Sequence, residues 1–459
     1  MVDKFAAAAL AVLIAHALCA CSNEEIYGSP RIQTTIATPT DAQSLDITIS
    51  YTLSHQELTT ADIEVQYSSD GLTFFDATEG IGGDGTTGLS VSVAGESHTF
   101  SWDSGEDLPD LRSDMIFIRL DPTDGPQTTS EAFTLHNFVF MVAGLTTATA
   151  DFSLYELGLA DGDIVLQESV TPGGDTPWDI LYHDGIYYAA NTVSNNVTAL
   201  ELDEFNSELT AISGSPFASD GTTSKFLAAD GDFLFVSNVG SETLSIFDIA
   251  TDGSLTLNAN SNVALTGCQS LAIHESHLYV ASESSAQIVV FDIQSDGELL
   301  PNAASPVSGG GLTTPRALTV VGSRLYVANN ALANVAGFDI DASGALTAIT
   351  GSPFGFSQAG AEDMDSDGVS RLFIVGGGFS SLSSMTIDAT GVATEDASSP
   401  KAVSGPANGV VCPPGTVVVG TTTTETLDSL LIDTDGTLIT SADSPFDAEG
   451  EVAQLEVSD

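Results

Sequence analysis

Short segments of alternating apolar and polar residues fill most of the chain, and from residue 138 onward they return at a nearly constant interval. The interval can be measured between the apolar residues that precede equivalent turns, which are Leu157, Leu202, Ile249, Ile293, Ile340, Ile387 and Ile432. Successive members of this series are 45, 47, 44, 47, 47 and 45 residues apart. Strand-patterned repeats of this length are typical of sheets arranged radially around an axis. The spacing therefore predicts seven repeats over 138–459.

Each repeat predicts four antiparallel strands. The fifth copy reads PRALTVVG, SRLYVANNALA, NVAGFDIDASG and ALTAITGSPF, and each piece alternates in polarity and ends in Gly, Asn, Asp or Ser. None of these pieces has the three- and four-residue apolar spacing of a helix. Gly at the third junction accepts a positive φ and favours a hairpin turn there. Seven such four-stranded units predict an all-β, seven-bladed propeller.

The two ends of the repeat region predict how the ring closes. The first repeat begins directly at its second strand, FVFMVAGLTT, whereas the last ten residues, GEVAQLEVSD, read as an isolated strand. These last residues match the first-strand pieces of the other repeats. An open ring would leave two sheet edges unpaired. We therefore expect residues 451–458 to lie alongside 138–145 and to complete the first blade.

Period-two patterning over 30–136 predicts a separate β-structure before the propeller. The strand-like pieces include LDITISYTL, DIEVQYSSDG, LSVSVAG, HTFSWDS and DMIFIRLDPTDG. About seven short strands divided by turn signals are typical of a β-sandwich. We expect Trp102 in its core, and the segment resembles the fibronectin type III/immunoglobulin-like modules of bacterial surface proteins.

The first residues predict a targeting segment. Lys4 is followed by the apolar run FAAAALAVLIAHA and then by Leu-Cys-Ala-Cys, which resembles a bacterial lipobox ending at Cys21. On this interpretation 1–20 is a signal peptide, Cys21 is lipidated and 21–29 is a tether. An ordinary signal-peptidase cut nearby is the alternative. Ser22 resembles outer-membrane sorting, so we expect an exported lipoprotein of the cell envelope.

The charge balance changes which partners are plausible. Asp and Glu number 63 against 9 Lys and Arg, for a net charge of -54. Such a field repels phosphate backbones, which excludes nucleic acid as a partner. The acidity has two remaining interpretations, solubility in a salty medium and binding of divalent cations. The second rests on Asp363, Asp365 and Asp367, whose D-x-D-x-D-G pattern resembles the start of a calcium loop. The same residues also fit an ordinary hairpin turn.

The repeat motif carries a family resemblance. Its consensus runs from Pro-Arg through LYVAN and FDID to GSPF, and residues 324–329 read RLYVAN. This pattern over 138–459 resembles the seven-bladed lactonase propellers, which include 6-phosphogluconolactonase-like proteins and the YVTN repeats of surface layers. The resemblance implies a propeller domain over 137–459 and, where activity is retained, lactone hydrolysis. Lactonase-like enzymes often carry a His after the Pro-Arg pair, and Ala317 stands there.

The first residues of the innermost strands are expected to meet at one mouth of the central channel. The first column of aligned residues is Trp178, Lys225, Gln269, Arg316, Glu362, Ala407 and Val452. The next column is Asp179, Phe226, Ser270, Ala317, Asp363, Asn408 and Ala453. Two of the few cationic side chains, Lys225 and Arg316, share the first column. This placement predicts a binding site at the mouth.

The side chains of this mouth suggest chemical roles. Lys225 and Arg316 could hold a carboxylate or phosphate, Arg316 through its planar fork. Trp178 could stack on a sugar ring, and Gln269 adds a polar group. The catalytic candidates are Arg316 with a base drawn from Glu362, Asp363 and Asp179. The alternative is that Arg316 and Glu362 form an ion pair that binds no ligand.

Two functional hypotheses follow. The first is a monomeric, lipid-anchored scaffold that binds a small anionic ligand or a protein at the cell envelope. The alternative is a sugar-lactone hydrolase with its site at the channel mouth. No cofactor is required by either hypothesis, with calcium as the one candidate. Cys268 and Cys412 lie on separated blades, so we expect both to be free and mostly buried.

Overall fold

The structure is a computed structural model that describes residues 31–39, 45–108, 111–145, 151–204, 206–433, 436–448 and 450–458. Lys4, Cys21 and the expected tether lie outside these residues. The chain divides into two compact units. The first holds 48–102, 115–133 and the described residues before 40, and the second holds 45–47, 103–114 and the described residues from 134 onward. Among the described residues, no helix has the length and apolar character needed to span a bilayer.

The elements up to residue 136 are almost entirely strands. They are β1 (Gln33–Ala37), β2 (Asp46–Ser54), β3 (Thr60–Ala61), β4 (Ile63–Ser68), β5 (Phe75–Asp76), β6 (Glu79–Gly83), β7 (Leu89–Ser90), β8 (Glu96–Asp103), α1 (Ser104–Asp107), β9 (Arg112–Pro122), β10 (Thr128–Thr129) and β11 (Phe133–His136). One sheet has the order β1-β2-β8-β6 and a second has the order β10-β9-β4-β5, with β11 also on β9. Strands β3 and β7 form a separate pair.

The two larger sheets of the first unit pack face to face, as the sequence predicts for a sandwich. Trp102 on β8 is fully buried, and the ring of Tyr67 on β4 stacks on it with a centroid distance of 5.2 Å. Alternate residues of β2 and β9, such as Ile49 and Ile118, are buried in the same interior. The expected core position of Trp102 is confirmed.

Seven sheets form the described part of the second unit from Phe138 onward, in the order that the repeats predict. Blade one has β12 (Phe138–Leu145), β13 (Asp151–Gly158) and β14 (Ile164–Val170). Blade two has β15 (Pro177–His183), β16 (Ile186–Asn191), β17 (Asn196–Asp203), β18 (Glu208–Ala211) and β19 (Phe217–Ala218). Blade three has β20 (Ser224–Asp230), β21 (Phe233–Asn238), β22 (Thr243–Ile249), β23 (Leu255–Leu257) and β24 (Val263–Ala264). Blade four has β25 (Cys268–His274), β26 (His277–Ser282), β27 (Gln287–Ile293), β28 (Leu299–Pro301) and β29 (Val307–Ser308).

The remaining blades follow the same plan. Blade five has β30 (Pro315–Val321), β31 (Arg324–Asn329), β32 (Asn334–Ile340), β33 (Leu346–Ala348) and β34 (Phe354–Gly355). Blade six has β35 (Asp363–Ser366), β36 (Arg371–Val375), β37 (Ser381–Ile387), β38 (Ala393–Glu395) and β39 (Lys401–Ala402). Blade seven has β40 (Ala407–Val411), β41 (Thr416–Thr421), β42 (Thr426–Ile432), β43 (Leu438–Thr440) and β44 (Phe446–Asp447). The last strand is β45 (Val452–Val457).

The outer strand of blades two to seven differs from the expected single strand, because it is split into two short pieces that both pair with the third strand. A serine between the pieces explains the split. Its Oγ accepts a hydrogen bond from a backbone N–H of the third strand, so the ladder is interrupted there. The serines are Ser215, Ser261, Ser305, Ser352, Ser399 and Ser444.

The ring closes as predicted. Strand β45 pairs antiparallel with β12, with Met141 opposite Val457 and Ala143 opposite Leu455. Each innermost strand contacts the innermost strands of both neighbouring blades, and β45 contacts β40 on one side and β15 on the other. Leu455 is fully buried. The terminal strand therefore completes blade one and joins the two ends of the propeller.

Asn137 attaches the segments 45–47 and 103–108 to the start of blade one. Its Nδ2 donates hydrogen bonds to the carbonyl oxygens of Ser104 and Leu108, at 2.8 and 2.7 Å. Its Oδ1 accepts from the backbone N–H of Leu45 at 2.9 Å. Asn137 is fully buried, so all of these backbone groups are satisfied away from water.

Candidate functional site

A β-bulge at the start of the innermost strands positions the mouth residues. The register of β15, β20 and β30 shifts by one residue after the first pair, which leaves Trp178, Lys225 and Arg316 without a partner in the ladder. A bulge of this kind turns a side chain away from the direction that a regular strand would give it. The same interruption covers Gln269 in β25. The inner strands of blades two to five therefore each carry a re-aimed side chain at the same level, whereas β35 of blade six pairs in regular register.

The bulges correct the expected columns in two blades. In β40 the extra residue is Asn408, and Ala407 pairs with Thr421 instead. In β45 the extra residue is Ala453, while Val452 pairs with Leu145. Both Ala407 and Val452 are fully buried. One residue of slip in each blade changes which side chains can reach the channel, because alternate strand residues face opposite sides.

Arg316 is the centre of the mouth. Its Nη2 donates to Oε2 of Glu362 at 2.6 Å, and its Nη1 donates to Oε2 of Glu283 at 3.3 Å. The arginine side chain is 15% exposed and each glutamate 26%, so the network is largely withdrawn from water. Gln269 donates to the same Glu283 oxygen at 3.0 Å. The ion pair between Arg316 and Glu362 that the sequence suggests is present, and it is extended to blade four.

Glu283 and Asn330 were missed in the sequence. Glu283 follows β26, and Asn330 follows β31 and donates to Oε1 of Glu362 at 3.3 Å. Both residues come directly after the second strand of their repeat, the strand that reads YVAS or YVAN. That position could have been aligned as a third column. The mouth therefore has a second ring of side chains, supplied by loops.

Lys225 lies on Trp178. Its Nζ is 3.7 Å from the centroid of the indole ring and 5.4 Å from that of Phe226. Burial lowers the pKa of Lys225 to about 8, and the positive charge of Arg316 acts in the same direction, while Glu362 and Glu283 oppose it. One face of Trp178 is thus covered by an ammonium group.

Two buried polar atoms of the mouth have no hydrogen-bond partner among the described residues. They are Nε of Arg316 and Oε1 of Gln269, one donor and one acceptor. Buried polar atoms in proteins are paired in the great majority of cases. These two atoms mark the mouth as a place where buried polar groups are left unsatisfied.

The acidic residues of the second column, Asp179 and Asp363, bind backbone groups of the neighbouring blade. Oδ2 of Asp179 accepts the backbone N–H of Leu227 at 2.8 Å, and Oδ2 of Asp363 accepts that of Val410 at 2.9 Å. In both cases a side chain of one inner strand satisfies the exposed edge of the next blade. Burial raises the pKa of Asp179 to about 7 and raises that of Asp363, against the effect of these hydrogen bonds. These two residues are joined to the wall and not to the Arg316 network.

The pattern continues deeper in the channel. Oδ2 of Asp365 accepts the backbone N–H of Cys412 at 2.8 Å, and Oε1 of Glu456 accepts that of Tyr182 at 3.4 Å. Burial raises the pKa of Asp365 to about 6 and raises that of Glu456 well above its ordinary value. Neighbouring carboxylates, Asp363 for the first and Asp365 for the second, add to the shift. The interior is therefore an acidic cluster that reinforces the joints between blades.

The expected calcium loop is an inner strand and its turn. Asp363 and Asp365 belong to β35 and bind backbone groups of blade seven. Oδ1 of Asp367 accepts the backbone N–H groups of Val369, Ser370 and Arg371 within the hairpin turn. No group of three or more His, Cys, Asp or Glu side chains in the described ranges is placed to hold a metal ion. Residues i and i+2 share a face of a strand but lie roughly 6–7 Å apart along it, so Asp363 and Asp365 do not converge as the ligands of a curled calcium loop do.

The space beneath the rim is narrow. The cavity there measures about 10 Å³ and is lined by Trp178, Phe226, Glu362, Asp363, Asn408, Ala453 and Gln454. A volume of this size is close to the minimum for a single water molecule. A sugar-sized ligand would therefore bind over the rim, with a water at most below it.

Of the described cysteines, Cys268 and Cys412 are both free, as predicted. Cys268 is fully buried, whereas Cys412 is partly exposed. Burial raises the pKa of Cys268 to about 11. A thiol of this kind is protonated at neutral pH and has a packing role. Neither cysteine belongs to the mouth.

Comparison with known proteins supports the architecture. The family model described as "Lactonase, 7-bladed beta-propeller" matches residues 149–314. No curated protein sequence matches the chain. A crystal structure from Bacteroides fragilis NCTC 9343, described as a candidate 6-phosphogluconolactonase, is 16% identical, with a TM-score of 0.62 over 70% of this chain and 98% of the other. The periplasmic gluconolactonase PpgL of Pseudomonas aeruginosa is 16% identical, with a TM-score of 0.58 over 70% of this chain and 99% of the other. At this identity the likeness shows a shared fold.

Proposed function

We propose that the channel mouth is the active site of a hydrolase that opens the ester bond of sugar lactones. The observation that carries the proposal is the desolvated Arg316, held between Glu283 and Glu362 and adjacent to Lys225. The match to the lactonase model and the descriptions of the two structural neighbours support it. The same comparisons favour this alternative over the binding scaffold.

Lactone hydrolysis requires three things of a site. The carbonyl oxygen must be stabilised as it becomes an oxyanion, a water must lose a proton as it attacks, and the ring oxygen must regain one as it leaves. Arg316 offers the positive charge of a guanidinium, fixed by two carboxylates, for the oxyanion. Gln269, whose Oε1 is buried without a hydrogen-bond partner among the described residues, adds a polar side chain to the same network. The rim thus has a positive charge for the developing oxyanion.

The charge of the rim favours a neutral lactone. Two cations, Lys225 and Arg316, face two carboxylates, Glu283 and Glu362, so the formal charges of the four groups cancel. A phosphorylated lactone would bring two negative charges to a rim whose arginine is already paired on both Nη atoms. It would also enter the field of a chain with net charge -54. We therefore propose neutral lactones as the preferred substrates, ahead of the anionic ligands that the sequence alone favoured.

The binding-only alternative has one observation in its favour. Both Nη atoms of Arg316 are bound by carboxylates. A guanidinium so engaged can hold the mouth together without any chemistry. Turnover distinguishes the two functions.

We also propose that the protein acts at the cell envelope, anchored through Cys21. The lipobox-like residues before Cys21 are the support for this location. Cys21→Ser should abolish incorporation of labelled palmitate and release the protein from membranes in a Gram-negative host. Palmitate labelling that persists in the variant would contradict the anchor.

The function is tested by titrating acid release in a pH-stat. Wild-type protein should hydrolyse neutral aldonolactones above the spontaneous rate, and phosphorylated aldonolactones less efficiently. Arg316→Ala should lower kcat/KM by about 100-fold, the usual effect of removing one oxyanion donor. Arg324→Ala is the matched control, because Arg324 lies on the same blade but binds Asp339 and the carbonyl of Ala389.

The outcomes separate the alternatives. Turnover lost in Arg316→Ala and kept in Arg324→Ala supports the hydrolase. Saturable binding of the lactone without acid release supports the binding-only function. Absence of both across the panel contradicts a sugar-lactone site at this mouth.

A further inference from the structure

Lys225 is placed differently from every other group of the mouth. It occupies the bulge of β20, so its side chain is re-aimed toward the rim. Its Nζ lies over Trp178 at 3.7 Å from the ring centroid, and no Asp or Glu oxygen of the described residues lies within 4.0 Å of it. Lys401 also has no carboxylate within that distance among the described residues, but it donates a hydrogen bond to the carbonyl of Leu438, whereas Lys225 donates none. The carboxylates nearest the rim are committed to Arg316.

The charges around Lys225 come from four blades. Arg316 disfavours the protonated amine, and Glu362 and Glu283 favour it. On the blade-two side, Asp179 is bonded to the backbone of the strand that carries Lys225. Burial is the largest influence and brings the pKa of Lys225 to about 8. A fraction of the amine is therefore neutral near neutral pH and available as a base.

The carboxylates that the sequence suggests as bases are all occupied. Glu362 accepts from Arg316 with one oxygen and from Asn330 with the other. Asp179 and Asp363 each accept a backbone N–H of the next blade. Burial raises the pKa values of Asp179 and Asp363, but the hydrogen bonds commit both side chains to the channel wall and not to the Arg316 network. The amine of Lys225 has no competing hydrogen bond in the described structure.

We propose that Lys225, as the neutral amine, is the general base that activates the hydrolytic water at this mouth. The proposal rests on the proposed lactone hydrolysis and assigns its base. Trp178 holds the ammonium form once the proton has been taken, because an indole face attracts a cation. The residue that the sequence suggests as an anion holder thus becomes a proton carrier.

The step balances without a further reactant. The lone pair of Nζ takes a proton from water while the water oxygen bonds to the carbonyl carbon and the carbonyl π pair moves to its oxygen. When the ring C–O bond breaks, the ring oxygen takes the proton back from the Lys225 ammonium. The product is a hydroxy acid, which loses a proton to solvent. That proton is the acid that a pH-stat measures.

The first test measures the amine directly and does not depend on turnover. The chain has three lysines, Lys4, Lys225 and Lys401, so acetylation by limiting acetic anhydride can be followed for each by mass spectrometry. Lys401, which donates to the carbonyl of Leu438, is the internal reference. Lys225 should become reactive with a midpoint near pH 8, the value to which burial brings its pKa. A midpoint at the ordinary value of 10.5 would overturn the proposal.

The second test separates a base from a fixed cation. Lys225→Met should lower kcat by about 100-fold, within the usual range for loss of a general base. Lys225→Arg keeps the positive charge but cannot give up a proton at working pH, so it should be as inactive. Small primary amines should restore part of the rate in Lys225→Ala. Lys401→Met is the control and should behave as wild type.

The results distinguish failure of this proposal from failure of the proposed function. If wild type hydrolyses lactones with kcat/KM rising through a midpoint near pH 8, and both Lys225 variants lose the rise, the base is assigned. If wild type is active and Lys225→Arg retains its rate and pH profile, Lys225 is only a fixed charge and the proposal is overturned. If wild type shows no turnover on any lactone, the proposed function itself fails, and the role of Lys225 as base fails with it. Thermal melting of each variant shows whether it is folded.

Discussion

The rim and the interior of the channel are built from the same inner strands, yet they use charge in opposite ways. At the rim, Arg316 is bound sideways to Glu283 and Glu362, and Lys225 rests on an aromatic ring. In the interior, carboxylates accept the backbone N–H groups of the next blade. The interior carboxylates are Asp179, Asp363, Asp365 and Glu456.

This difference shows which part of the channel is available for chemistry. An innermost strand is a sheet edge, and its outward N–H groups must be satisfied. The interior carboxylates are consumed by that task, so they stabilise the ring. The rim side chains are bulged out of the ladder and have no such task. Bulges next to active sites often re-aim side chains in this way.

The largest expected effect is on activity at the rim. Arg316→Lys keeps the charge but replaces the planar fork that reaches two glutamates by a single ammonium group. We expect kcat/KM to fall by about 30-fold with little change in Tm. The measurement is initial rate against lactone concentration, beside a thermal melt. A variant with wild-type kinetics would show that only the net charge of the rim matters.

The next effect is on stability in the interior. The folded-state pKa of Asp365 is about 6, above its unfolded value, so its ionisation disfavours the native state. The contribution of Asp365 to the free energy of unfolding should therefore be most favourable at low pH and decline as the pH rises from about 4 to about 7. Asp365→Asn keeps an oxygen for the N–H of Cys412 and removes the charge.

The gain from Asp365→Asn should be about 1–2 kcal/mol at pH 8, allowing for water in the channel, and should vanish at pH 4. Urea unfolding at both pH values measures it. An equal gain at both pH values would mean that packing, and not ionisation, is responsible. A loss at pH 8 would show that the carboxylate charge stabilises the blade joint.

A smaller effect concerns the influence of Glu362 on the pKa of Lys225. Glu362 raises the pKa of Lys225, so Glu362→Gln should lower the midpoint of Lys225 acetylation by about half a pH unit. Asp339→Asn, which affects the partner of Arg324 on the outer side of the blade, should leave the midpoint unchanged. An upward shift in Glu362→Gln would mean that Glu362 and Lys225 do not share one electrostatic site.

The smallest effect concerns calcium. The oxygens of Asp363, Asp365 and Asp367 already accept backbone hydrogen bonds, so a chelator should leave Tm unchanged. Melting curves with EDTA and with added Ca²⁺ measure this. A rise of several degrees with Ca²⁺ that EDTA reverses would contradict the structural interpretation of this segment.

The architecture could be predicted because the pattern of apolar and polar residues repeats at a nearly constant interval along the sequence. The spacing of Leu157, Leu202 and their counterparts fixed the number of blades, and the isolated strand around Leu455 fixed the closure. Both signals are local in sequence and repeated, so one imperfect copy does not hide them. The split outer strands were missed, because their cause is one serine side chain that bonds across the sheet.

The mouth could be predicted only in part. Trp178, Lys225, Gln269, Arg316 and Glu362 were found because they share one column. In blades seven and one the first column was aligned one residue too early, at Ala407 and Val452 instead of Asn408 and Ala453. The position of a bulge is not visible in the sequence. Glu283 was missed because it lies in the loop after β26 of blade four, whereas Arg316 belongs to blade five. The distance between the two side chains depends on how the blades pack.

The most direct test compares one substitution at the rim with one in the interior. Hydrolysis of a neutral aldonolactone should be measured for wild type, Arg316→Ala and Asp365→Asn at one pH in a pH-stat. The structure predicts a loss of about 100-fold in kcat/KM for the first variant and a rate near wild type for the second. Equal losses in both, or a wild-type rate no faster than spontaneous hydrolysis, would contradict the assignment of catalysis to the rim.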